Sequence, residues 1–181
     1  MLIEIVKLKD PITHQLLLMR HAKSSWDTGA PTDFERPLAK RGRKAAVRIG
    51  GWLKARALIP DQIISSPAER ARQTTLAVAD VLEIDAGQLR WEPKIYDASR
   101  AQILSLIRAC AEPLQRVMLV GHNPGFEELL EWLCAGQTPA PRDGKLMPTA
   151  AVAMLELESD WREVTRASAS LINLVRPRDL K

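Results

Sequence analysis

Short apolar runs that end in polar or turn-forming residues recur along the first 120 residues of the chain. The runs over 16–19, 62–65 and 117–120 have the length and composition of buried strands. A more mixed segment over 89–96 predicts a further strand that leads into a loop. We therefore expect several buried strands that belong to one sheet.

Between these runs, apolar side chains recur every three to four residues, which predicts helices. The predicted helices cover 45–57, 71–82, 103–110 and 126–133. After a loop over 136–148, two strands over 150–157 and 161–174 are predicted to form a hairpin at one side of the sheet. Strands that alternate with helices in this way indicate an α/β fold with a mainly parallel sheet.

A length of 181 residues suits a single domain with a substantial core. No repeat, low-complexity tract or linker divides the sequence. We predict one domain over 15–181, with 1–14 as an N-terminal extension or an added edge strand. Cys110 and Cys134 stand in apolar helical patterns without metal-ligand spacing, and we predict that both are buried, inert thiols.

Charge and hydropathy argue against several classes of function. The net charge of +4 suits an anionic substrate, but Lys and Arg are spread along the chain and aromatic residues make up 4% of it, so no nucleic-acid partner is expected. No apolar stretch approaches the roughly 20 residues that span a bilayer. The charged N-terminus makes a poor signal peptide. We expect a cytoplasmic protein with no membrane partner, and the sequence leaves its oligomeric state open.

Three of the predicted strands are followed by side chains that bind phosphate well. Arg20 and His21 follow the first strand, Arg70 comes shortly after the second, and His122 follows the third. The carboxyl ends of parallel strands lie at one edge of a sheet, where open α/β folds place their ligand sites. We therefore predict that two imidazoles and two guanidiniums converge at this edge. His14 has no such setting and is assigned no role.

These side chains suit phosphoryl transfer. Arginine forks match the non-bridging oxygens of a phosphate, and preplaced donors stabilise the charge that spreads over those oxygens in the transition state. A neutral imidazole can attack phosphorus in line and form a phosphohistidine intermediate. The ordinary histidine pKa of about 6.5 keeps the ring mostly neutral at pH 7, and neighbouring cations favour that form further.

Three motifs resemble the signatures of the histidine phosphatase superfamily. They are MRHA at 19–22, SSPxxRAxQT at 65–74 and VGHNP at 120–124, in the order and with the spacing of that family. The stretch DFERPL at 33–38, the closing RPRDL at 176–180 and the short length are most similar to the SixA-type phosphohistidine phosphatases. The resemblance implies a phosphoglycerate mutase-like fold, a three-layer α/β/α sandwich with a mostly parallel sheet.

The resemblance also implies a role for each side chain at the predicted edge. His21 is the phosphate-accepting nucleophile. Arg20, Arg70 and His122 form the phosphate pocket, and His122 also stabilises the transferring group. The resemblance implies neither a metal nor an organic cofactor, and the sequence shows no carboxylate cluster of the kind that a two-metal phosphatase needs.

A general acid is harder to identify from the sequence. Larger relatives in the family protonate an alkoxide leaving group with Asp or Glu, and the candidates in this chain are Asp33, Glu35, Asp97 and Glu127. Asp33 is our first choice because it lies in the SixA-like stretch; the alternative is that it pairs with Arg36 or faces solvent. Arg36 is predicted to bind substrate, with a plain surface charge as the alternative.

The function predicted from these residues is hydrolysis of phosphohistidine on a protein, such as a phosphotransfer domain, through a covalent intermediate on His21. A phosphorylated imidazole is a phosphoramidate, and its ring leaves as neutral imidazole once the ring nitrogen is protonated, so a weak acid need not prevent hydrolysis. The short chain leaves little room for insertions over the site, which favours a protein substrate. The alternatives are a phosphatase of small phosphate esters and a non-catalytic phosphoprotein-binding module.

Overall fold

A six-stranded sheet with helices on both faces is formed by residues 13–26, 29–140 and 144–180, which are the residues that the computed structural model describes. The strands are β1 His14–Arg20, β2 Gln62–Ser65, β3 Leu89–Trp91, β4 Arg116–Gly121, β5 Val152–Leu157 and β6 Ala169–Val175. The helices are α1 Lys40–Lys54, α2 Glu69–Leu82, α3 Arg100–Arg108 and α4 Gly125–Leu133.

The strand order across the sheet is β3-β2-β4-β1-β5-β6. The first four strands in this order run parallel to one another, whereas β5 is antiparallel to β1 and β6 is antiparallel to β5. Strands β1 and β4 lie in the middle and are buried on both faces, which is why their sequences are continuous apolar runs rather than alternating ones. The predicted α/β fold with a mainly parallel sheet is confirmed.

The two faces of β1 support two separate halves of the core. Leu16 and Leu18 pack with α3 and α4, and Leu17 and Met19 pack with α1 and α2. All four side chains are fully buried, and each contributes about 1.5–3 kcal/mol of hydrophobic stabilisation. The sheet is thereby fixed between two helical layers, which is the predicted three-layer arrangement.

The predicted hairpin is correct in kind but not in extent. Its second strand begins at Ala169 rather than at residue 161, because Trp161–Glu163 forms a 3-10 turn. Trp161 is fully buried, and its indole N–H donates to the Leu114 carbonyl oxygen at 2.8 Å. Its ring centroid lies 4.8 Å from that of His14. A tryptophan that packs at the end of the core has the same apolar signature in the sequence as a strand residue.

Two other predicted boundaries also differ from the structure. Strand β3 ends at Trp91, since Pro93 begins a short 3-10 turn and the side chain of Glu92 accepts a hydrogen bond from the next turn. Most of the extension predicted over 1–14 lies outside the described residues, which begin at residue 13. His14 belongs to β1 and is buried there.

Both cysteines are buried and free. Burial raises the pKa of Cys110 to about 11, so this thiol stays protonated and unreactive at neutral pH. In the part of the chain that the structure describes, no helix is long and apolar enough to cross a bilayer.

Candidate active site

The carboxyl ends of β2, β4 and β1, which are neighbours in the sheet, bring three polar segments together. Two backbone hydrogen bonds extend the pairing beyond the strand ends. The His21 N–H donates to the Gly121 oxygen at 2.9 Å, and the Ser66 N–H donates to the Val120 oxygen at 3.0 Å. The side chains of His21, Ser66 and His122 consequently share one buried pocket at this edge.

The His21 ring is held in one tautomer. Its Nδ1 lies 2.8 Å from the Ala22 carbonyl oxygen, which can only accept, so we assign the proton to Nδ1 and the lone pair to Nε2. Nε2 accepts a hydrogen bond from Arg70 Nε at 3.3 Å. Burial lowers the pKa of His21 to about 4; the hydrogen bond to Ala22 opposes this shift, and three guanidinium charges add to it. At neutral pH His21 is an uncharged base.

His122 faces His21 across the pocket, with 5.0 Å between the ring centroids. Its Nδ1 lies 3.4 Å from Arg70 Nη2, which can only donate, and its Nε2 lies 2.9 Å from Ser66 Oγ. We therefore assign the proton to Nε2. Burial, followed by the charges of His21 and Arg70, lowers the pKa of His122 to about 3. A bound dianion would raise both histidine pKa values, because an opposite charge favours the protonated ring.

Arg70, in the first turn of α2, links the two imidazoles. Its buried side chain also lies 2.9 Å from Asp33 Oδ2, and its Nη1 donates to the Asp33 backbone oxygen at 2.6 Å. Thr74 fixes this turn of the helix, since its hydroxyl donates to the Arg70 backbone oxygen at 2.6 Å and accepts the Ala22 N–H at 2.9 Å. The helix that carries the guanidinium is thus tied to the backbone beside His21.

Arg20, the last residue of β1, retains unused donor capacity. Its Nη1 donates to the Met147 carbonyl oxygen at 2.9 Å, whereas its buried Nε has no hydrogen-bond partner among the described residues. Burial lowers the pKa of Arg20, and the charge of Glu127 offsets part of the shift. Arginine remains charged in proteins. A buried cation with an unused donor at this position can bind an anion.

Asp33, the predicted general acid, lies in a network of ion pairs. Its carboxylate is 2.9 Å from Arg36 Nη2 and 2.9 Å from Arg70 Nη2, and it accepts the Tyr96 hydroxyl at 3.2 Å. Burial alone would raise the pKa of Asp33, but these charges and hydrogen bonds outweigh it and lower the pKa. Asp33 is therefore ionised at neutral pH, which makes it a weak proton donor. The pairing with Arg36 is the alternative that the sequence left open.

Arg36, predicted to bind substrate, packs against the exposed side chain of Trp26. The guanidinium carbon lies 3.5 Å from the Trp26 ring centroid, and Trp26 is 72% exposed. Within the described ranges, the buried Nε and Nη1 of Arg36 have no hydrogen-bond partner. The charge of Arg36 also helps to lower the pKa of His21, so it acts on the same pocket.

The other candidate acids have different surroundings. Glu35 accepts the Thr32 hydroxyl at 2.8 Å on an exposed loop, and Glu127 accepts the Met147 N–H at 2.7 Å. Asp97 lines a cavity of about 280 Å³ beside the second imidazole. Asp33, in contrast, lies 2.9 Å from a guanidinium nitrogen of the pocket of His21, Arg70 Nη2.

Tyr96 belongs to the site but was missed by reasoning from the sequence. Its ring meets the His122 ring edge-on at 5.4 Å between centroids, and its hydroxyl donates to Asp33. It follows β3 after a short turn that carries none of the three motifs, so its position at the end of the segment predicted over 89–96 is the only signal that the sequence offers. Ser66 and Thr74 lie inside a recognised motif, but the Ser66–His122 hydrogen bond depends on the pairing of β2 with β4, and the Ala22–Thr74 hydrogen bond depends on how α2 packs at the end of β1.

The arrangement is that of an anion pocket with a nitrogen nucleophile. Two neutral imidazoles and two guanidiniums surround one space, and helices α2 and α4 begin shortly after Ser66 and His122, where helix N-termini favour negative charge. Among residues 13–26, 29–140 and 144–180, no three His, Cys, Asp or Glu side chains are grouped so that they could hold a metal ion. The chemistry available is binding of a tetrahedral dianion and attack on it by His21.

Comparison with known proteins identifies relatives over most of the chain. Residues 16–91 match the family model of the histidine phosphatase superfamily, branch 1. An uncharacterized protein of Mycobacterium tuberculosis is 32% identical over 164 residues, which cover 88% of this chain and 100% of the relative. Phosphohistidine phosphatase SixA of Escherichia coli is 27% identical over 162 residues, which cover 88% of this chain and 96% of that protein.

A solved structure of a SixA protein shares this fold. The structure of the protein histidine phosphatase SixA complexed with tungstate aligns with a TM-score of 0.78 at 25% sequence identity. The alignment covers 92% of this chain and 99% of the other. The likeness therefore extends well beyond residues 16–91, the segment that matches the family model.

Proposed function

Because the chain belongs to the histidine phosphatase superfamily, we propose that it hydrolyses phosphohistidine on a protein through a covalent phosphohistidine intermediate on His21. The observation that carries the proposal is the state of the His21 ring. It is buried and uncharged, the Ala22 carbonyl holds its Nδ1 proton, and Nε2 faces Arg70. The names of the SixA relatives support the phosphohistidine substrate.

In the first step, His21 Nε2 attacks phosphorus in line. The Nε2–P bond forms while the P–N bond to the substrate imidazole breaks, and the bonding electron pair stays on the leaving nitrogen. A substrate ring that is protonated at its other nitrogen leaves as neutral imidazole and takes no proton from the enzyme. Arg20 and Arg70 bind the equatorial oxygens, where the charge of the transition state is spread.

In the second step, water attacks the phosphorylated His21. Because Nδ1 keeps its proton, the phosphorylated ring is a cation, and the Ala22 carbonyl stabilises that charge. A P–O bond forms as the P–Nε2 bond breaks, the electron pair returns to Nε2, and the proton of the water is lost to solvent with the departing phosphate. The tautomer that makes His21 a nucleophile in the first step makes it a good leaving group in the second.

We keep Asp33 in the proposal as a general acid of limited strength. Its lowered pKa supports that limit, since a carboxylate held by Arg36 and Arg70 is mostly ionised at neutral pH. An alkoxide leaves poorly without a proton, whereas a protonated phosphohistidine ring leaves readily. A pocket without a strong acid therefore favours P–N cleavage over P–O cleavage.

Exposed aromatic side chains beside the pocket support a protein substrate. Trp26 lies on Arg36, and Phe34 is 37% exposed with its ring edge-on to Tyr96 at 5.1 Å. Aromatic side chains and arginine are enriched where proteins bind other proteins. We propose that Arg36 and Trp26 contact the surface around the substrate phosphohistidine.

The test is release of phosphate from a phosphohistidine protein, a phosphoserine peptide and a sugar phosphate, with wild type and His21→Ala. We expect the highest kcat/KM for phosphohistidine and complete loss in His21→Ala. Thermal unfolding of both proteins controls for misfolding. Quenching in alkali preserves phosphohistidine and quenching in acid hydrolyses it, so after removal of the substrate an alkali-stable, acid-labile phosphoenzyme is expected for wild type and none for His21→Ala.

A second candidate function is hydrolysis of small phosphate esters. It is favoured by the cavity beside His122, whose lining includes the carboxylates Asp97 and Glu128. Higher kcat/KM for the sugar phosphate would establish this function and overturn the phosphohistidine proposal. Binding of phosphoprotein without release from any substrate would favour a non-catalytic binding module.

A further inference from the structure

A separate basic cavity lies at the same edge of the sheet as His21. Its volume is about 380 Å³. Its charged lining residues are Lys23, Arg41, Lys145, Arg176 and Arg178. The remaining lining residues are small or aliphatic ones and a threonine, so the described lining contains neither a carboxylate nor an aromatic ring.

The fold brings these cations together from distant parts of the chain. Val152 pairs with both Met19 of β1 and Val175 of β6, so β1 and β6 end at the same edge of the sheet. Arg176 and Arg178 follow β6, Arg41 lies in the first turn of α1, and Lys23 follows the nucleophile by two positions. The cavity thus adjoins the pocket of His21 without including any residue assigned to phosphate binding there.

Two of the arginines are positioned by contacts of their own. Arg176 Nη2 donates to the Leu146 carbonyl oxygen at 3.4 Å, and Arg178 Nε lies 3.7 Å from Asp179 Oδ1. Asp179 offsets part of the charge of Arg178, but five cationic side chains still give this concave site a positive lining, which attracts an anion. A concave site with these charges therefore favours a compact, multiply charged anion over a single carboxylate.

We propose that this cavity binds a phosphate group other than the one transferred to His21. Guanidinium forks match phosphate oxygens in pairs, and lysines add point charges that tolerate several geometries. The volume lies in the range of small-ligand sites, and the lining offers no ring on which a nucleobase could stack. The phosphate has two possible sources: a second phosphate on the substrate, which rests on the proposed phosphatase function, or a free polyphosphate, which does not.

The test compares two variants of equal charge change. Arg41→Gln with Lys145→Gln removes one arginine and one lysine from the cavity, and both side chains belong to exposed residues. Arg43→Gln with Lys44→Gln removes the same charges from exposed positions on α1 that do not line the cavity. Isothermal titration with pyrophosphate measures the number of bound ligands, and an assay for released orthophosphate in the same samples checks that the pyrophosphate is not hydrolysed.

We expect two pyrophosphates per chain for wild type and for the Arg43/Lys44 variant, one in each pocket, and one for the Arg41/Lys145 variant. In parallel, kcat/KM is measured for a sugar monophosphate and the matching sugar bisphosphate. Wild type is then expected to have a kcat/KM about tenfold higher for the bisphosphate than for the monophosphate. If the Arg41/Lys145 variant alone loses this preference, through a higher KM for the bisphosphate, the bound phosphate belongs to the substrate. Loss of one pyrophosphate without such a preference identifies a free ligand.

The inference would be overturned if all three proteins bound the same number of pyrophosphates and had the same ratio of kcat/KM for bisphosphate to kcat/KM for monophosphate. Failure of the proposed function would be seen separately, as no release of phosphate from phosphohistidine, while the titration would still measure binding in the cavity. Monophosphate turnover is expected to be unchanged in both variants, because neither touches Arg20, His21, Arg70 or His122.

Discussion

At the scale of single residues, the reactivity of His21 depends on which of several opposing effects dominates. Burial is the largest contribution to its lowered pKa, and the guanidinium charges add to it, while the hydrogen bond to Ala22 opposes both. In the proposed mechanism, the same guanidiniums that keep the free ring neutral attract the substrate dianion. The charge of the bound dianion then counteracts theirs, so the ring can carry positive charge in the proposed intermediate without strong repulsion.

Arg70 is expected to be the most sensitive residue of the phosphate pocket after His21. In Arg70→Lys, a single ammonium replaces a guanidinium that contacts both imidazoles and Asp33. We expect kcat/KM to fall about 100-fold or more, the usual effect of removing a preorganised donor. Arg72→Lys is the matched control, because that arginine pairs with Glu69 on the exposed side of the same helix. A change within about threefold for Arg70→Lys would contradict the assigned role.

Asp33→Asn tests whether an acid is needed at all. We expect kcat/KM for phosphohistidine to fall less than about tenfold, because the leaving imidazole takes no proton from the enzyme. If Asp33 is the acid for esters, the loss with a sugar phosphate will be larger than the loss with phosphohistidine. A large and equal loss for both substrates would instead indicate that Asp33 acts by positioning Arg70.

At the scale of elements, the site depends on how closely α4 approaches the chain before α3. A Cβ atom built on Gly125 would lie 2.1 Å from the Ala98 carbonyl oxygen and 2.9 Å from Ile103 Cδ1. Glycine is therefore required where α4 begins, directly after the segment that carries His122. The position of that imidazole is linked to helix packing rather than to its own side-chain contacts alone.

Gly125→Ala is expected to lower the free energy of unfolding by about 1–3 kcal/mol, the usual cost of overpacking. It is also expected to reduce kcat/KM, because α4 must move and His122 moves with it. Gly51→Ala is the matched control: the added Cβ meets nothing within 4 Å, and alanine stabilises a helix interior by up to about 1 kcal/mol. Urea unfolding measures both variants. Equal stability of Gly125→Ala and wild type would contradict the close approach.

At the scale of the whole molecule, the site imposes a cost on stability in acid. His21 and His122 have folded-state pKa values of about 4 and about 3, below the unfolded value of about 6.5. As the pH falls below about 6.5, both histidines take up protons in the unfolded chain but stay neutral in the folded protein. Between about pH 6.5 and the folded-state pKa of each histidine, the free energy of unfolding therefore decreases as the pH falls, by up to about 1.4 kcal/mol per pH unit for each histidine.

His122→Gln is expected to flatten this dependence. We expect the slope of the unfolding free energy against pH, between about pH 6.5 and pH 4, to decrease by up to about 1.4 kcal/mol per pH unit. The reason is that the variant lacks one side chain that binds a proton in the unfolded chain but not in the folded protein. Urea unfolding at several pH values gives the slope, which is compared with wild type rather than the absolute stability. An unchanged slope would show that His122 titrates alike in the folded and unfolded chain.

The strand ends illustrate what could be predicted from the sequence. The run that ends in Arg20 and His21 is apolar throughout because β1 is buried on both faces, and this signature depends only on adjacent residues. The same holds for β2 and β4, and parallel strands must end at a common edge. The convergence of Arg20, His21, Arg70 and His122 therefore followed from local pattern plus one rule of topology.

Contacts between distant segments could not be derived in this way. The sequence alone determined the α/β class, the central strands, the helices and the side chains at one edge, because periodicity and strand ends are local properties. Tertiary structure decided that Trp161 packs on His14 instead of continuing a strand, that Tyr96 and Arg70 hold Asp33 as a carboxylate, and that β1 and β6 end beside one basic cavity. Each of these depends on packing between residues far apart in the chain, where burial and charge are set by neighbours that no local pattern specifies.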